Sequence, residues 1–446
     1  TLATMACGVD IDTAPGVFDR FEGVVTHVKY GSNRLKVSVA PDKTTVKLNS
    51  ADYFSTLKKL HRQYGIEYFT LPPSLLGGST GPSQNYLNTG IPVGSEAFEP
   101  LHRNFLKTMR EAFSAADLGD RAFYYPMDEF PAQSAAVFVR IAADAKQEYP
   151  AMPVMALSEQ WYPELAASKN IDIWCVPWHF FVTKESDPGE WAKLRRQGLQ
   201  LWSYMNSLYC INATWNPKAM RFFPVMLARY DYTGALWWHM ATFENKDVRH
   251  DPAGLMNRSR QKYMYGSGYL FYPPTTAGGA WGSSLRWENY VQGVEDYNLM
   301  QLLKTRWQAT EKALGNSDDA FSADTALAMY ATRLSNSFRA QNYYGDALYM
   351  NRFRQLLAHD IATLPERPYA LVDFEPADTR DAETIHLRGI VEPGSTVTVN
   401  GKTPEIWSEG KAFTIELPLR SGANDFDVAV TKDGKTKHIY REVCRR

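Results

Sequence analysis

Eight short apolar segments, separated by longer amphipathic stretches, constrain the fold of this chain more than any other feature. They are TMACGVD (4–10), RLKVSVA (34–40), EYFTLPP (67–73), AFYYPMD (122–128), PVMALSE (153–159), IDIWCVP (171–177), LQLWSYM (199–205) and GALWWHM (234–240). This alternation is typical of repeated βα units around a parallel sheet. Eight units predict an α/β fold of the (β/α)8 TIM barrel type. A doubly wound open sheet would show similar alternation, but no GxGxxG turn follows the first segment.

Amphipathic segments between these runs predict the helices. The clearest covers residues 50–65, where Ser50 can cap the start, Gly65 can end the helix, and Leu57, Leu60 and Tyr64 form one stripe. Further helices are expected near 96–117, 131–148, 187–197 and 217–230.

A change of composition near residue 365 predicts a domain boundary. The segment LPERPYALVDFEPADTRDAE is rich in prolines and charges, and it separates a helical stretch from a β-rich tail. Short alternating segments with glycine-containing turns follow it, which predicts a small antiparallel β-sandwich. The expected domains are therefore a catalytic barrel at 1–365 and a C-terminal sandwich at 372–446.

Charge and cysteine content exclude several classes of partner and site. Lys and Arg number 48 and Asp and Glu 49, so the net charge of −1 provides no general attraction for nucleic acid or an anionic membrane. No apolar run reaches the roughly 18 residues of a membrane span. The four cysteines lack CxxC spacing, so neither a zinc site nor a disulfide framework is expected. We expect no cofactor and no metal, and the oligomeric state stays open.

Acidic and aromatic residues follow the ends of the predicted strands. In a TIM barrel the active site lies at the carboxyl ends of the strands, so these residues are the candidates. Large aromatic faces there suit the stacking of sugar rings. The candidates, in chain order, are Asp10, Asp12, Asp128, Glu129, Glu159, Trp161, Trp178, His179, Tyr204, Asn206, Trp238, His239 and Glu244.

The segment FYYPMDEF (123–130) ends in two adjacent carboxylates, Asp128 and Glu129. A carboxylate pair can hydrolyse a glycosidic bond, one acid protonating the leaving oxygen. Neighbours on a regular strand point to opposite faces, so the two share a pocket only if the strand ends or bends there, and Pro126 is compatible with that. The alternative is that Asp128 caps a helix starting near Pro131.

The other candidates favour substrate binding over catalysis. Glu159 and Glu244 are expected to be binding or surface residues before catalytic ones. His179 and His239 lack metal-ligand spacing, so hydrogen bonding to substrate or a structural role is expected.

Four ordered motifs in the segment 200–303 resemble the closing region of glycoside hydrolase family 123. They are RFFPVMLARYDYTGALWWHMATFE, DPAG, YGSGYLFYPP and SSLRWENYVQGVEDYNLMQLL. The resemblance covers a helix with an arginine, a strand, a hairpin and a final helix, and MDEF falls where that family keeps its Asp-Glu pair. The tail after residue 370 is similar to bacterial Ig-like modules.

The resemblance implies a retaining, exo-acting β-N-acetylgalactosaminidase-like reaction assisted by the substrate. Asp128 would orient the 2-acetamido group and Glu129 would serve as acid and then base. Tyr204 would hydrogen-bond the acetamido group, with Trp178, Trp202 or Trp238 as a wall. The substrate would be an oligosaccharide or glycoconjugate and the enzyme secreted or periplasmic, any export signal being absent or already removed.

Two alternatives stay open. Glu129 could act with a second carboxylate, Glu159 or Glu244, on a sugar without an acetamido group. The chain could also be a carbohydrate-binding protein that does not catalyse.

Overall fold

The computed structural model describes residues 2–6, 25–28, 35–50, 52–71, 76–177, 193–204, 218–237, 270–272, 279, 281–313, 322–334, 347–374, 382–407 and 410–445. The chain divides into two units, one comprising Thr1–Met220 with Asp231–Val291 and the other Arg221–Tyr230 with Gln292–Arg446. The predicted boundary between residues 365 and 372 falls inside the second unit and stays a prediction.

Eight parallel strands form one sheet in the described part of the first unit. They are β1 (Ala3–Ala6), β2 (Val25–Val28), β3 (Tyr68–Thr70), β4 (Ala122–Phe123), β5 (Met155–Leu157), β6 (Ile173–Pro177), β7 (Gln200–Tyr204) and β8 (Gly234–Trp237). Their order in the sheet is β4-β3-β2-β1-β8-β7-β6-β5. Each strand therefore lies beside its neighbour in the sequence, and β1 also pairs with β8. The predicted parallel sheet is confirmed.

Backbone hydrogen bonds also connect β4 to β5, the two strands at the ends of that order. The Tyr124 amide donates to the Pro153 carbonyl at 2.8 Å, and the Met155 amide donates to the Tyr124 carbonyl at 2.9 Å. Tyr124 and Val154 form a parallel bridge.

The predicted second strand is wrong. Lys36–Val39, inside the predicted segment 34–40, pairs antiparallel with Val46–Asn49 outside the large sheet, and Val25–Val28 takes its place. The cause is local, because the Asp42 carboxylate accepts hydrogen bonds from the Thr44 and Thr45 amides, both at 2.9 Å, and closes a tight turn. The two strands beside that turn form a hairpin.

One face of the parallel strands forms a continuous core. Its members are Met5, Phe123, Tyr125, Met155, Leu157, Ile173, Cys175, Trp202, Tyr204 and Leu236. Since side chains alternate along a strand, Trp202 lies on the same face as Tyr204, two residues earlier. Trp202 stacks on Phe123 at a centroid distance of 6.1 Å. A Cβ at Gly234 would lie 2.3 Å from the Trp202 ring, so this position must be glycine.

The helices confirm most of the sequence predictions. They are α1 (Tyr53–Tyr64), α2 (Phe98–Ala115), α3 (Ala135–Glu148), α4 (Pro163–Ala167), α5 (Lys218–Arg229), α6 (Leu285–Ala313), α7 (Ala323–Leu334) and α8 (Ala347–Thr363). Gly65 ends α1 in the left-handed conformation, as predicted. Ser50 does not cap that helix; the cap position is Asp52, whose side chain makes no capping hydrogen bond. Residues 187–192 of a predicted helix lie outside the described residues. Among the helices that the structure describes, none combines the length and apolarity needed to cross a membrane.

A buried hydrogen-bonded chain joins α2, α3 and Tyr124, the residue after β4, on the face of the sheet opposite the core. His102 contacts Asp144 Oδ2 through Nδ1 at 3.3 Å and the Tyr124 hydroxyl through Nε2 at 2.8 Å. Arg103 donates to Asp144 Oδ1 at 2.9 Å. Since a carboxylate only accepts, Nδ1 carries the proton and neutral His102 accepts from Tyr124 at Nε2. Burial lowers the pKa of His102, against the opposing effect of Asp144.

This histidine should make stability depend on pH. Below its unfolded pKa, about 6.5, the unfolded chain binds a proton that the folded protein rejects, so stability present above that pH is lost as pH falls. The loss attributable to His102 between pH 7.5 and 5.5 should be at most about 1.4 kcal/mol. Thermal unfolding at both pH values should show a smaller pH-dependent drop for His102→Gln than for wild type. Exposed His359 supplies the control. An H102Q drop as steep as that of wild type and H359Q would contradict this assignment.

The C-terminal part of the second unit contains two antiparallel sheets. Its strands are β9 (Ala370–Phe374), β10 (Thr384–Val391), β11 (Thr396–Val399), β12 (Glu405–Trp407), β13 (Ala412–Pro418), β14 (Gly422–Lys432) and β15 (Lys435–Arg445). One sheet has the order β9-β10-β13-β12 and the other β11-β14-β15. Residues from both sheets, among them Leu387, Phe413, Val399 and Val428, belong to one hydrophobic core.

Candidate active site

The segment after β4 leaves the sheet in a bend that ends on the two carboxylates. Phe123 and Tyr125 face the core, Tyr124 faces the helices, and Asp128 and Glu129 are half-buried. Glu129 has φ of 45°, in the left-handed region that few residues other than glycine adopt. The strand does not continue through the pair, so the opposite-face rule of a regular strand no longer separates the two side chains.

A small hairpin supports this bend. Its strands, Gly77–Gly78 and Gly81–Pro82, lie beside the segment that carries the pair. The Leu76 amide donates to the Pro126 carbonyl at 2.5 Å and the Asp128 amide donates to the Gly77 carbonyl at 3.2 Å. A Cβ at Gly77 would lie 2.8 Å from the Gly81 carbonyl oxygen, so the close approach needs glycine.

Two core tyrosines hold the two carboxylates. The Tyr125 hydroxyl donates to Asp128 Oδ1, and the Tyr204 hydroxyl donates to Glu129 Oε1 at 2.6 Å. Tyr204 is only 2% exposed. Burial, followed by the charge and hydrogen bond of Glu129, raises the pKa of Tyr204 far above its ordinary value. The phenol therefore stays neutral and acts as a donor to Glu129 across the working pH range of an enzyme.

The helix-cap alternative for Asp128 is wrong. Helix α3 begins at Ala135, its cap position is Ser134, and a 3-10 turn covers Ala132–Ser134. Asp128 lies ahead of that turn, and its carboxylate accepts from Tyr125.

Glu159 follows β5 and is exposed. Its charge contributes to the raised pKa of Tyr204, after the effects of burial, Glu129 and Cys175. It also raises the pKa of Tyr162, after burial. Glu159 is thus electrostatically coupled to the tyrosine that holds Glu129.

Two of the remaining predicted residues, Trp202 and Trp161, lie among the described residues. Trp202 is 1% exposed and packs in the core beneath Tyr204, so in this structure it supports the site from below. Trp161 stacks on Trp174 at 5.0 Å. Asp10, Asp12, Trp178, His179, Asn206, Trp238, His239 and Glu244 lie outside the described residues. Within the described ranges, no group of three or more His, Cys, Asp or Glu side chains could hold a metal ion.

Two residues that touch this segment are not among the sequence predictions. Tyr125 follows Phe123 by two positions, so strand alternation alone would have placed it facing the core below the pair. Tyr162 donates to the Phe130 carbonyl at 2.9 Å. No local pattern announces that contact, because the two residues are far apart in sequence.

Comparison with known families identifies the class of enzyme. The family model of the glycoside hydrolase 123 catalytic domain matches residues 78–303, half of the chain. This range contains both carboxylates and both tyrosines that hold them. The chain belongs to glycoside hydrolase family 123. It is therefore an enzyme that hydrolyses glycosidic bonds in a carbohydrate substrate, and the alternative of a non-catalytic binding protein is set aside. Among curated proteins, no sequence matches significantly.

Solved structures of other glycosidases show weak similarity to this family 123 chain. The endo-beta-1,4-mannanase from Thermotoga petrophila is 11% identical over 99% of this chain and 90% of its own, with a TM-score of 0.33. The endo-1,4-beta-mannanase from Rhizomucor miehei is 12% identical over 54% and 86%, with a TM-score of 0.38. The GH10 xylanase from Thermobacillus composti is 10% identical over 66% and 96%, with a TM-score of 0.36. TM-scores this low transfer neither substrate nor mechanism.

Proposed function

We propose that this enzyme is an exo-acting, retaining hydrolase of 2-acetamido sugars, of the N-acetylgalactosaminide type, with Glu129 as general acid/base and Asp128 as its partner. The observation that carries the proposal is the pair itself. Two adjacent carboxylates end one strand segment, and each accepts a hydrogen bond from a different core tyrosine. Such separate support suits two carboxylates with different tasks.

The proposed reaction proceeds in two steps. The acetamido oxygen attacks the anomeric carbon while Glu129 protonates the departing glycosidic oxygen, giving a cyclic oxazolinium and a free alcohol. Asp128 accepts a hydrogen bond from the acetamido N–H and stabilises the positive charge that develops there. Glu129, now a carboxylate, then removes a proton from water as that water attacks the anomeric carbon. Substrate assistance of this kind replaces the protein nucleophile of ordinary retaining glycosidases.

The end of β7 supports this route. Tyr204 stands at its last position, and its neutral hydroxyl is hydrogen-bonded to Glu129. A phenol held in its protonated form is a poor nucleophile, whereas the acetamido oxygen of the substrate needs no activation by deprotonation.

A second candidate reaction uses Glu159 as the other carboxylate on a sugar without an acetamido group. The position of Glu159, two residues beyond the carboxyl end of β5, favours keeping it. A carboxyl separation near 5 Å suits a nucleophile and roughly 6.5–9.5 Å suits a base that activates water.

We infer that the two sheet systems are a closed (β/α)8 barrel and a β-sandwich. The hydrogen bonds of Tyr124 with Pro153 and Met155 support closure between β4 and β5. The shared core of the two C-terminal sheets supports a sandwich. In such a barrel the pair would lie at the catalytic face.

Paired aryl glycosides, with and without the 2-acetamido group, test the proposal. Wild type should hydrolyse only the acetamido substrates at an appreciable rate. Asp128→Asn should lower kcat on them about 10²- to 10³-fold, because it removes the charge that stabilises the oxazolinium. A thiazoline analogue of that intermediate should inhibit wild type strongly and D128N weakly.

Glu159→Gln is the control, and it should keep kcat within about tenfold of wild type because Glu159 takes no part in proton transfer. Comparable kcat/KM on 2-hydroxy glycosides, together with a large loss in E159Q, would reject substrate assistance in favour of the second candidate.

A further inference from the structure

Tyr162 contacts the residue that directly follows the proposed acid/base. Its hydroxyl donates to the Phe130 carbonyl at 2.9 Å, and its ring lies 5.7 Å from the Phe130 ring. Tyr162 is 5% exposed. Phe130 in turn stacks on Phe138 of α3 at 4.8 Å, with an angle of 12° between the rings. The backbone just beyond Glu129 is therefore fixed by a side-chain hydrogen bond and by packing.

This support acts on a strained position. Glu129 has φ of 45°, and a non-glycine residue keeps such a conformation only when its surroundings hold it. On the preceding side, the Asp128 amide is bonded to the Gly77 carbonyl at 3.2 Å. On the following side, the Phe130 carbonyl is bonded to Tyr162. Glu129 thus lies between two anchored backbone groups.

The segment that presents Tyr162 is itself well fixed. The Trp174 indole donates to Ser158 Oγ at 2.8 Å, and Ser158 Oγ donates to the Gln160 carbonyl at 2.9 Å. Trp161 stacks on Trp174. Tyr162 then occupies the position before α4, which begins at Pro163. An ordered turn after β5 therefore delivers the hydroxyl to the bend after β4.

We propose that Tyr162 is a positioning residue for Glu129, acting through the Phe130 carbonyl to hold the left-handed turn on which the carboxyl group depends. The inference rests on the proposed role of Glu129 as acid/base. This role requires no contact between Tyr162 and the substrate or the reacting atoms. Removing its hydroxyl should let the turn relax and move the carboxyl group out of line with the glycosidic oxygen, which affects proton transfer more than substrate binding.

Tyr149 offers a matched control at the opposite end of β4. Its hydroxyl also donates to a distant backbone carbonyl, that of Gly119, and it is 3% exposed. Gly119 precedes β4, whereas Phe130 follows it. Tyr149→Phe therefore removes the same chemical contact, from a similarly buried ring, on the side of the strand away from the carboxylates.

The experiment compares Tyr162→Phe and Tyr149→Phe with wild type on an aryl 2-acetamido glycoside, together with their thermal midpoints. Both variants should lose similar thermal stability. Y162F should lower kcat about 10- to 100-fold with KM within about threefold, whereas Y149F should keep kcat within about twofold. The alkaline limb of the kcat–pH profile, which reports deprotonation of the general acid, should move in Y162F and stay in place in Y149F.

Phe130→Leu separates packing from the hydrogen bond, because it removes the ring contacts and keeps the carbonyl. It should lower the thermal midpoint while keeping kcat within about threefold. It also decides the question if Y162F fails to fold, since a tenfold or greater loss of kcat in soluble F130L would attribute the rate to packing and overturn the proposal. Equal kcat losses in Y162F and Y149F, or no loss in Y162F, would overturn it as well.

A failure of the proposed function can be distinguished from a failure of the role proposed for Tyr162. An active Glu129→Gln would remove the acid/base assignment, whereas an inactive E129Q beside a fully active Y162F would reject the role of Tyr162 alone.

Discussion

Replacing Glu129 by glutamine should lower kcat on an aryl 2-acetamido glycoside about 10³-fold, or about 4 kcal/mol of transition-state stabilisation. Glutamine keeps the shape of the side chain and can still accept the hydrogen bond that the Tyr204 hydroxyl donates to Oε1. It carries no proton to give to the leaving oxygen and cannot remove one from water. KM and the thermal midpoint should therefore change little, which distinguishes lost chemistry from lost structure.

Varying the leaving group of the substrate tests the role of Glu129 as the acid more directly. A dinitrophenyl leaving group needs less protonation than a methylumbelliferyl group, so the first, glycoside-cleaving step should lose less rate in E129Q with the better leaving group. Single-turnover measurements isolate that step. Asp172 supplies a control because its carboxylate, at the opposite end of the sheet strands, accepts from the Val154 amide at 2.7 Å. Asp172→Asn should affect stability and leave kcat close to wild type. An E129Q enzyme with wild-type turnover would end the assignment.

The parallel sheet could be predicted from the sequence because buried strands leave short apolar runs. The second strand could not be predicted. KVSV (36–39) alternates apolar and polar residues, and its strand propensity is comparable to that of VTHV (25–28). That strict alternation, followed by Pro41 and Asp42, was in fact the better sign of a solvent-facing hairpin. The apolar–polar pattern of a segment therefore indicates which kind of sheet it joins, as well as that it forms a strand.

The carboxylate pair could be predicted, but not the way in which it is held. Asp128 and Glu129 were visible as two acids at a strand end. The left-handed backbone of Glu129 has no signature in the sequence, because neither glycine nor asparagine stands there. The tyrosine that donates to Glu129 lies 75 residues away, and such a pairing depends on tertiary structure.

The closing motifs also contain an ion pair that the sequence did not reveal. Arg221, in the arginine-bearing helix α5, donates to Asp296, in the glycine-containing helix α6, at 2.8 Å. Gly293 makes the approach possible, because a Cβ there would lie 2.4 Å from the Arg221 carbonyl oxygen. Arg221 also donates to Gln292 and to Asn351, both at 3.0 Å. The motif residues of two helices therefore form one buried network in the second unit.

Replacing Arg221 by methionine should be the most destabilising single change among these predictions. Asp296 is 0% exposed, and among the described residues Arg354, which is 29% exposed, would remain as its cationic partner. Breaking a buried ion pair lowers the free energy of unfolding by about 3–5 kcal/mol, and we expect about 3 kcal/mol here because Arg354 still pairs with Asp296. For a unit of this size that corresponds to a thermal midpoint about 6–12 °C lower.

A double-mutant cycle checks the cause of that loss. Arg221→Met and Asp296→Asn together should be less destabilising than the sum of the single changes by at least about 1 kcal/mol, because the double variant leaves no uncompensated buried charge at the pair. Arg354→Met is the matched control on the solvent side of Asp296, and it should cost less than R221M because water can partly replace the lost partner. Strict additivity in the cycle, or an R354M loss as large as that of R221M, would show that helix packing at Gly293, and not the buried charge, determines the stability of this motif.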